Sequence, residues 1–263
     1  MITVHNITIK KGERPIVNEV SMQIPAGKFT AVLGMNGAGK STLMKAINNQ
    51  EKVMQGYIEW NGTDLSLIDA KTLSYQRAVL SQSFTPGFPM KVFDLVEMGS
   101  YPFQEKISPE EKNTLVYNAL KEVGMLAYVE RDFSSLSCGE QKRILLAKCL
   151  VQLENNFSTS RTKYLFLDEP TASIDIHHSY KLLELVKNWT VHKNLGVFGI
   201  LHDLNLAAQF ADHIIILKEG MVVQQGHPNL VLTPDHLEHS LEIKSIINQH
   251  PVFGCPHIIT LPI

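Results

Sequence analysis

A glycine-rich segment constrains this chain more than any other feature of its sequence. It fits the pattern G-x-x-x-x-G-K-[ST] and reads Gly34-Met35-Asn36-Gly37-Ala38-Gly39-Lys40-Ser41, with Thr42 next in the chain. The compact apolar run from Phe29 to Leu33 precedes it and is typical of a buried central strand. Apolar residues at helical spacing follow it and predict a helix from Lys40. This strand–loop–helix order predicts an α/β fold and separates the motif from a chance glycine-rich turn.

Such a loop binds phosphate for a physical reason. Its glycines let backbone N–H groups turn inward towards phosphate oxygens, and the helix N-terminus adds partial positive charge. Lys40 is expected to reach the β- and γ-phosphates, and the hydroxyl of Ser41 to ligate Mg²⁺. The sequence therefore predicts a nucleoside triphosphate site at residues 34–42.

Two carboxylates follow a second apolar run. Leu165 to Leu167 reads as a buried strand, and Asp168 and Glu169 come directly after it. A strand tip directs both side chains into the crevice at the carboxyl edge of the sheet. One of them can hold Mg²⁺, and the other can orient or deprotonate an attacking water. Acidic strand ends are common solvated turns, but beside a phosphate loop they indicate hydrolysis.

Two further segments belong with this edge. A third apolar run, from Gly196 to Leu201, ends at His202, which is predicted to share the sheet edge with Asp168. A strand-end histidine is also often a structural hydrogen bonder. The segment Leu136–Gln141 precedes a predicted helix, whose N-terminus could face phosphate or could be a plain helix cap.

Composition excludes several classes of protein. The chain has 263 residues, 44% hydrophobic and 19% charged, as in ordinary soluble globular proteins. A formal net charge of −2 gives no electrostatic support to a nucleic-acid partner. We expect no signal peptide, and no apolar run approaches the roughly 20 residues that span a bilayer. The three scattered cysteines favour a reducing compartment.

The middle of the chain reads differently from its ends. Helical signals dominate from about Phe84 to about Leu153, with a capping box at Ser108 and a stop at Gly124. We interpret this stretch as an insert between two halves of an α/β core. The polar segment Gln152–Lys163 is predicted to be an exposed loop, and the apolar runs that flank Lys218–Gly220 to form a hairpin.

The order of these segments resembles that of the ABC ATPase family. The resemblance covers residues 1–235 and rests on six motifs in order, which are Gly34–Ser41, Gln82, Leu136–Glu140, Asp168–Glu169, Ser173–Asp175 and His202. It implies an α/β P-loop NTPase fold, with a RecA-like core, an antiparallel β subdomain and an inserted α-helical subdomain. We predict a single ATPase domain at 1–240, with its core at 1–84 and 160–240 and the helical subdomain at about 85–159, and a C-terminal extension at 241–263 packed on the core.

The resemblance also implies roles for the site residues. Glu169 would be the general base, and His202 would contact the γ-phosphate. Gln82 would sense Mg²⁺ or water and link the site to a transmembrane partner. Mg²⁺ would be held by Ser41, Gln82 and Asp168. The cofactors implied are ATP and Mg²⁺.

The same resemblance implies that the active unit is a dimer with two ATP molecules at its interface. Ser137, Gly139 and Glu140 of one copy would contact the ATP held by the other copy. The loop Ser173–Asp175 would cross the interface. ATP binding would close the dimer, and hydrolysis with product release would open it.

Three positions depart from the family pattern. Cys138 stands where the family usually has Gly or another small residue, and Glu140 replaces the more frequent Gln. The aromatic residue that commonly stacks on adenine is missing, since the matching stretch is Ile9–Gly12. We expect Ile9 to offer only apolar contact, so the nucleotide would be held mainly by its phosphates.

A finer similarity is to the ATPase subunits of type II importers, which move heme, ferric siderophores or cobalamin. It rests on Arg77–Gln82, Val96–Pro102 and His202–Ala207. Within that group the segment Leu167–His178 is most similar to hemin-import ATPases. The implied partners are a second copy, a multi-span membrane permease dimer and, indirectly, an extracytoplasmic substrate-binding protein, with the chain peripheral on the cytoplasmic face of the membrane. The alternatives are a siderophore or cobalamin importer and a soluble ABC ATPase of DNA repair or translation.

The 11 histidines raise the question of a metal or heme site on this chain. His177 and His178 are adjacent, so on a helix they point about 100° apart and make a poor metal pair. Cys255-Pro256 resembles the short Cys-Pro pairs that can ligate heme. We expect surface or helix-capping histidines and no heme site.

Overall fold

The structure is a computed structural model that describes residues 1–157 and 162–262. Its strands, in chain order, are β1 (Ile2–Lys11), β2 (Arg14–Ile24), β3 (Phe29–Leu33), β4 (Gln55–Trp60), β5 (Thr63–Asp64), β6 (Arg77–Leu80), β7 (Tyr164–Asp168), β8 (Gly196–Ile200), β9 (His213–Lys218), β10 (Met221–Gly226), β11 (Ser245–Gln249) and β12 (Pro256–Thr260). Its α-helices are α1 (Lys40–Ile47), α2 (Ala70–Ser74), α3 (Val92–Glu97), α4 (Pro109–Glu122), α5 (Cys138–Leu153), α6 (Ile176–His192), α7 (Leu204–Phe210), α8 (Pro228–Val231) and α9 (Pro234–Leu241). Within the described ranges, no helix is long and apolar enough to cross a membrane.

A six-stranded sheet forms the centre, in the order β10-β9-β3-β8-β7-β6. Neighbours from β9 to β6 are parallel, and β10 pairs antiparallel with β9. The three predicted buried strands and the predicted hairpin are therefore confirmed. The backbone N–H of Phe29, at the start of β3, donates to Oδ2 of Asp212 at 2.9 Å, joining positions 183 residues apart. Because parallel strands end at one edge, the carboxyl ends of β3, β6, β7 and β8 meet there.

Two hydrophobic cores lie on the two faces of this sheet. On β7, Leu165 and Leu167 pack in the core shared with the helices, whereas Tyr164 and Phe166 pack in the core shared with α1 and the second sheet. Successive side chains of a strand alternate between faces, so a strand covered on both sides is apolar throughout. The second sheet is antiparallel, in the order β2-β1-β4-β5.

Helices α3, α4 and α5 follow β6 and pack on one another in the helix-side core. The capping box at Ser108 is present, and Gly124, with a φ of +69°, lies just beyond the end of α4. Helix α5 runs to Leu153, so the loop predicted from Gln152 begins two residues later than expected. The middle of that loop, residues 158–161, lies outside the described residues.

A C-terminal hairpin was not predicted from the sequence. Strands β11 and β12 pair antiparallel, and Ile258 is buried in the helix-side core. The side-chain amide of Asn205, in the first turn of α7, donates to the carbonyl of Ile258 at 3.1 Å and accepts from its N–H at 2.8 Å. The hairpin is thereby fastened to the helix that follows His202.

Candidate functional site

The phosphate loop connects the end of β3 to the start of α1. Lys40 is only 6% exposed, and its ammonium donates to the carbonyls of Gly34 at 2.7 Å and Met35 at 3.0 Å. Burial lowers the pKa of Lys40, while the carboxylates of Glu169 and Asp168 act in the opposite direction. The lysine is therefore held across its own loop and faces the acidic residues that follow β7.

Gly39 has no substitute at its position in this loop. Its φ is +99°, and a Cβ there would lie 2.5 Å from the carbonyl oxygen of Ile16 on β2. Gly37 has a φ of +82° but open space around it. The loop is thus pressed against β2 on one side and open on the other, where a nucleotide can approach.

The N-terminus of helix α1 carries no side-chain cap from the described part of the chain. Gly39 is its N-cap, and among the described residues no side chain caps it and no acidic residue stands in its first turn. The first N–H groups of a helix need acceptors, and the helix dipole favours anions there. This arrangement fits a phosphate group.

Three of the predicted site residues meet at the carboxyl edge of the sheet. Gln82 follows β6, Glu169 follows β7 and His202 follows β8. The Gln82 amide donates to Oε2 of Glu169 at 2.7 Å, and Nε2 of His202 lies 2.9 Å from Oε1. Both oxygens of one carboxylate are therefore engaged by side chains from the two neighbouring strands. Glu169 itself has a φ of +48°, in the left-handed region that non-glycine residues rarely adopt.

Asp168 is half-buried beside this cluster. Burial and the neighbouring Glu169 raise its pKa, partly offset by Lys45, Lys142 and His202. These positive groups do not fully offset burial and the neighbouring Glu169, and a divalent cation would supply further positive charge.

The donor set at this edge fits Mg²⁺. In the described part of the chain, no group of three or more His, Cys, Asp or Glu side chains is arranged to hold a metal ion. Mg²⁺ is commonly bound by one or two protein oxygens together with phosphates and water, so a complete protein cage is not required. Asp168 and the exposed Ser41 hydroxyl are the oxygen donors suited to it.

The segment before α5 caps its own helix. Ser137 is the N-cap, and Glu140 accepts from the Ser137 N–H at 2.8 Å and from its hydroxyl at 2.9 Å. The backbone bond from Ser137 is the main cause that lowers the pKa of Glu140. In this single chain, Ser137 and Glu140 of the signature segment, Leu136–Gln141, are therefore hydrogen-bonded to each other.

His178 connects two segments that were predicted separately. Its Nδ1 lies 2.7 Å from Oδ2 of Asp175, the N-cap of α6. Its ring lies against Gly139, where a Cβ would be 2.7 Å from Cγ of His178. From the sequence, His178 is expected to be an ordinary surface or helix-capping histidine. In the structure its ring instead contacts both Asp175, of the loop Ser173–Asp175, and Gly139, of the signature segment.

Lys142 is a site residue that the sequence analysis missed. It is 8% exposed, on α5, and its ammonium donates to the carbonyl of Ser81 at 3.3 Å and to that of Gln82. The sequence offers one signal for it. Lys142 has the helical spacing of Leu145 and Cys149, which places a charged residue on the apolar side of the helix.

The expectation for Ile9 is wrong. Its side chain is 0% exposed and packs in the core beneath the second sheet, so it does not reach a nucleotide. The backbone carbonyl of Ile16 and the apolar side chains of Val17 and Leu217 lie beside Gly39 in the loop.

Comparison with known proteins agrees with this geometry. The family model described as ABC transporter matches residues 17–172. The chain belongs to the ABC transporter ATPase family. A hemin import ATP-binding protein of Gloeobacter violaceus is 35% identical over 261 residues, covering 99% of this chain and 94% of that protein. The corresponding protein of Bordetella bronchiseptica is 36% identical, covering 94% of both chains.

Solved structures of ABC ATPases confirm the α/β P-loop NTPase fold. A metal-chelate type ABC transporter in an inward-facing conformation matches with a TM-score of 0.82 and 22% identity, covering 99% of this chain and 97% of that chain. A dimeric cassette bound to ADP and phosphate matches with a TM-score of 0.73 and 23% identity, covering 86% and 98%. The protein is thus an ABC ATPase that binds and hydrolyses ATP as a subunit of an importer.

Proposed function

We propose that this ABC ATPase is the motor subunit of a heme importer, working as a homodimer beneath a partner permease on the cytoplasmic face of the membrane. The observation that carries the ATPase part is the carboxylate of Glu169, held by Gln82 and His202 at the sheet edge next to the phosphate loop. The cargo rests on the hemin import relatives.

In the proposed mechanism, the phosphate loop binds ATP through its backbone N–H groups, through Lys40 and through the N-terminus of α1. On binding, the ammonium of Lys40 would give up its hydrogen bonds to the carbonyls of Gly34 and Met35 and donate to phosphate oxygens instead. Ser41 and Asp168, with Gln82 at the edge, would hold Mg²⁺, which neutralises charge on the β- and γ-phosphates when bound.

Glu169 is proposed to accept the proton of the attacking water. Both of its carboxylate oxygens lie at the sheet edge, where Gln82 and His202 contact them. In the single chain, Gln82 and His202 occupy those oxygens, so at least one of the two contacts has to open for water to enter. His202 is then placed to contact the γ-phosphate. If ATP binding releases Gln82 from Glu169, it frees the loop after β6, to which Gln82 belongs, to change its position.

The second half of each site is proposed to come from the partner copy, through Ser137, Gly139 and Glu140. The loop Ser173–Asp175 would lie at the same interface. We also propose that 1–240 is one ATPase domain with its helical subdomain at about 85–159, and that 241–263 packs on its core.

The variant Glu169→Gln tests the assignment of the base. We expect ATP binding to persist, turnover to fall by about 10²- to 10⁴-fold, and ATP to trap a dimer detectable by size-exclusion chromatography. Glu184→Gln, an exposed change on α6, is the matched control and should behave as wild type. Unchanged turnover in Glu169→Gln would refute the role of this carboxylate.

Cargo is tested by uptake in a strain that lacks this subunit. We expect loss of heme uptake, restored by the wild-type chain and not by Glu169→Gln, with co-purification of a multi-span membrane protein. A defect confined to ferric siderophore or cobalamin would refute heme. Co-purification with nucleic acid or ribosomes instead would refute a transport role.

A further inference from the structure

Within residues 1–157 and 162–262, three lysines are held in the same way, each by two backbone carbonyls. Lys40 bonds to Gly34 and Met35, and Lys163 bonds to Leu153 at 2.6 Å and to Asn155. Lys142 bonds to Ser81 and Gln82. Lys163 lies just before β7, at the opposite end of that strand from Asp168. Lys40 and Lys142 both lie at the carboxyl edge, where the reaction takes place.

Burying the ammonium of Lys142 costs free energy of hydration, which suggests a role for the group at this position. An ammonium that is 8% exposed loses most of its hydration, and burial lowers its pKa while Asp168 and Glu169 act to raise it. The carbonyls it contacts belong to the loop after β6, whereas Lys142 itself belongs to α5. Its hydrogen bonds therefore connect α5 to the loop after β6.

Contacts through Lys142 connect the two ends of the site. Glu169 accepts from the Gln82 side chain, the Gln82 carbonyl accepts from Lys142, and Lys142 lies about one helical turn beyond Ser137 and Gly139. A shift of Gln82 away from Glu169 that also moves its backbone carbonyl would therefore be passed through Lys142 to the start of α5. In the proposed dimer, the start of α5 would face the ATP bound to the other copy.

We propose that Lys142 couples the two ATP sites of the dimer, by linking Gln82 of one site to the Ser137–Gly139 segment that completes the other. This inference rests on the proposed dimeric function. It makes Lys142 a positioning residue, which acts through Gln82 and α5 without touching nucleotide. Coupling between sites is reciprocal, so ATP in either site would favour closure around the other.

The test compares Lys142→Met with Lys163→Met, using the full chain. Both variants remove an ammonium held by two carbonyls, so both should lose thermal stability. Only Lys142→Met is expected to lower kcat, by at least about fivefold, and to reduce the Hill coefficient of ATP hydrolysis from near two towards one. The affinity of the single chain for ATP should stay within about twofold, because the phosphate loop is unaltered.

A second measurement is ATP-driven dimerisation in the Glu169→Gln background. Lys142→Met should require more ATP to dimerise and lose the steepness of the response, and Lys163→Met should not. A Hill coefficient and kcat equal to wild type in folded Lys142→Met would overturn the inference, as would an equal loss in both variants. If the wild-type chain itself neither dimerises with ATP nor hydrolyses it, the proposed function fails, and that result is distinct because it does not depend on Lys142.

Discussion

The helices α1 and α5 both begin at a segment proposed to contact ATP, but their N-termini differ. Helix α1 begins at Gly39, and within the described residues no side chain caps it. Helix α5 begins at Ser137, which shares a capping box with Glu140. The first N–H groups of a helix need acceptors, so α1 is left for a ligand to complete, whereas at the start of α5 the side chain of Ser137 already accepts from the N–H of Glu140. The phosphate loop is a binding site in one chain. In the proposed dimer, the signature segment would become one only when a phosphate competes with Glu140 for Ser137.

The largest expected effect tests the phosphate-loop side of this comparison. Gly39→Ala places a Cβ against the carbonyl of Ile16 at a positive φ, whereas Gly37→Ala adds a Cβ in open space. We expect Gly39→Ala to abolish measurable ATP binding, and Gly37→Ala to weaken it about tenfold through backbone strain of roughly 1–2 kcal/mol. Titration calorimetry measures both, with circular dichroism to verify folding. Equal losses in the two variants would contradict the packing described for Gly39.

The next effect concerns the signature side. Ser137→Ala removes both the cap and the proposed phosphate contact, so we expect stability to fall by about 1 kcal/mol and ATP-driven dimerisation to weaken by about tenfold. The matched control is Ser108→Ala, because Ser108 forms the same capping box with Glu111 on α4. It should lose similar stability in thermal melts and dimerise as wild type. Identical dimerisation by both variants would show that Ser137 is a cap alone.

The smallest effect is electrostatic and depends on pH. The bond from Ser137 lowers the pKa of Glu140 below its value in the unfolded chain, so this carboxylate stabilises the fold above about pH 4.3 and loses that contribution as pH falls through the folded pKa. The difference in melting temperature between wild type and Glu140→Gln should therefore be largest near neutral pH and shrink in acid. A difference that grows in acid would contradict the assigned bond.

Much of this site follows from the sequence because it depends on local patterns. Apolar runs predicted β3, β7 and β8, and the rule that parallel strands end at one edge predicted that Asp168 and His202 would be near each other. The resemblance to the order of motifs in ABC ATPases then indicated that Gln82 belongs to the same site. Each of these inferences needs only residue type and position along one element.

The failures share a different cause. The contact between Lys142 and the loop at Gln82 depends on how far a side chain reaches across two elements, which no single-element pattern records. The same holds for Asn205 and the C-terminal hairpin. For Ile9, the pairing of β1 with β2 shifts register between Ile7 and Ile9, so simple alternation does not show which face each residue takes.

The placement of β3 has a consequence for the order of events during synthesis. This early strand lies between β8 and β9, and its first residue is bonded to one 183 positions later. At roughly 5–20 residues per second, a ribosome needs about 10 to 40 s to make the intervening chain. Until β8 and β9 have been made, β3 lacks its neighbouring strands, so the sheet that positions the phosphate loop is incomplete. The early apolar segments of the nascent chain, β3 among them, therefore have to be shielded until the sheet can form.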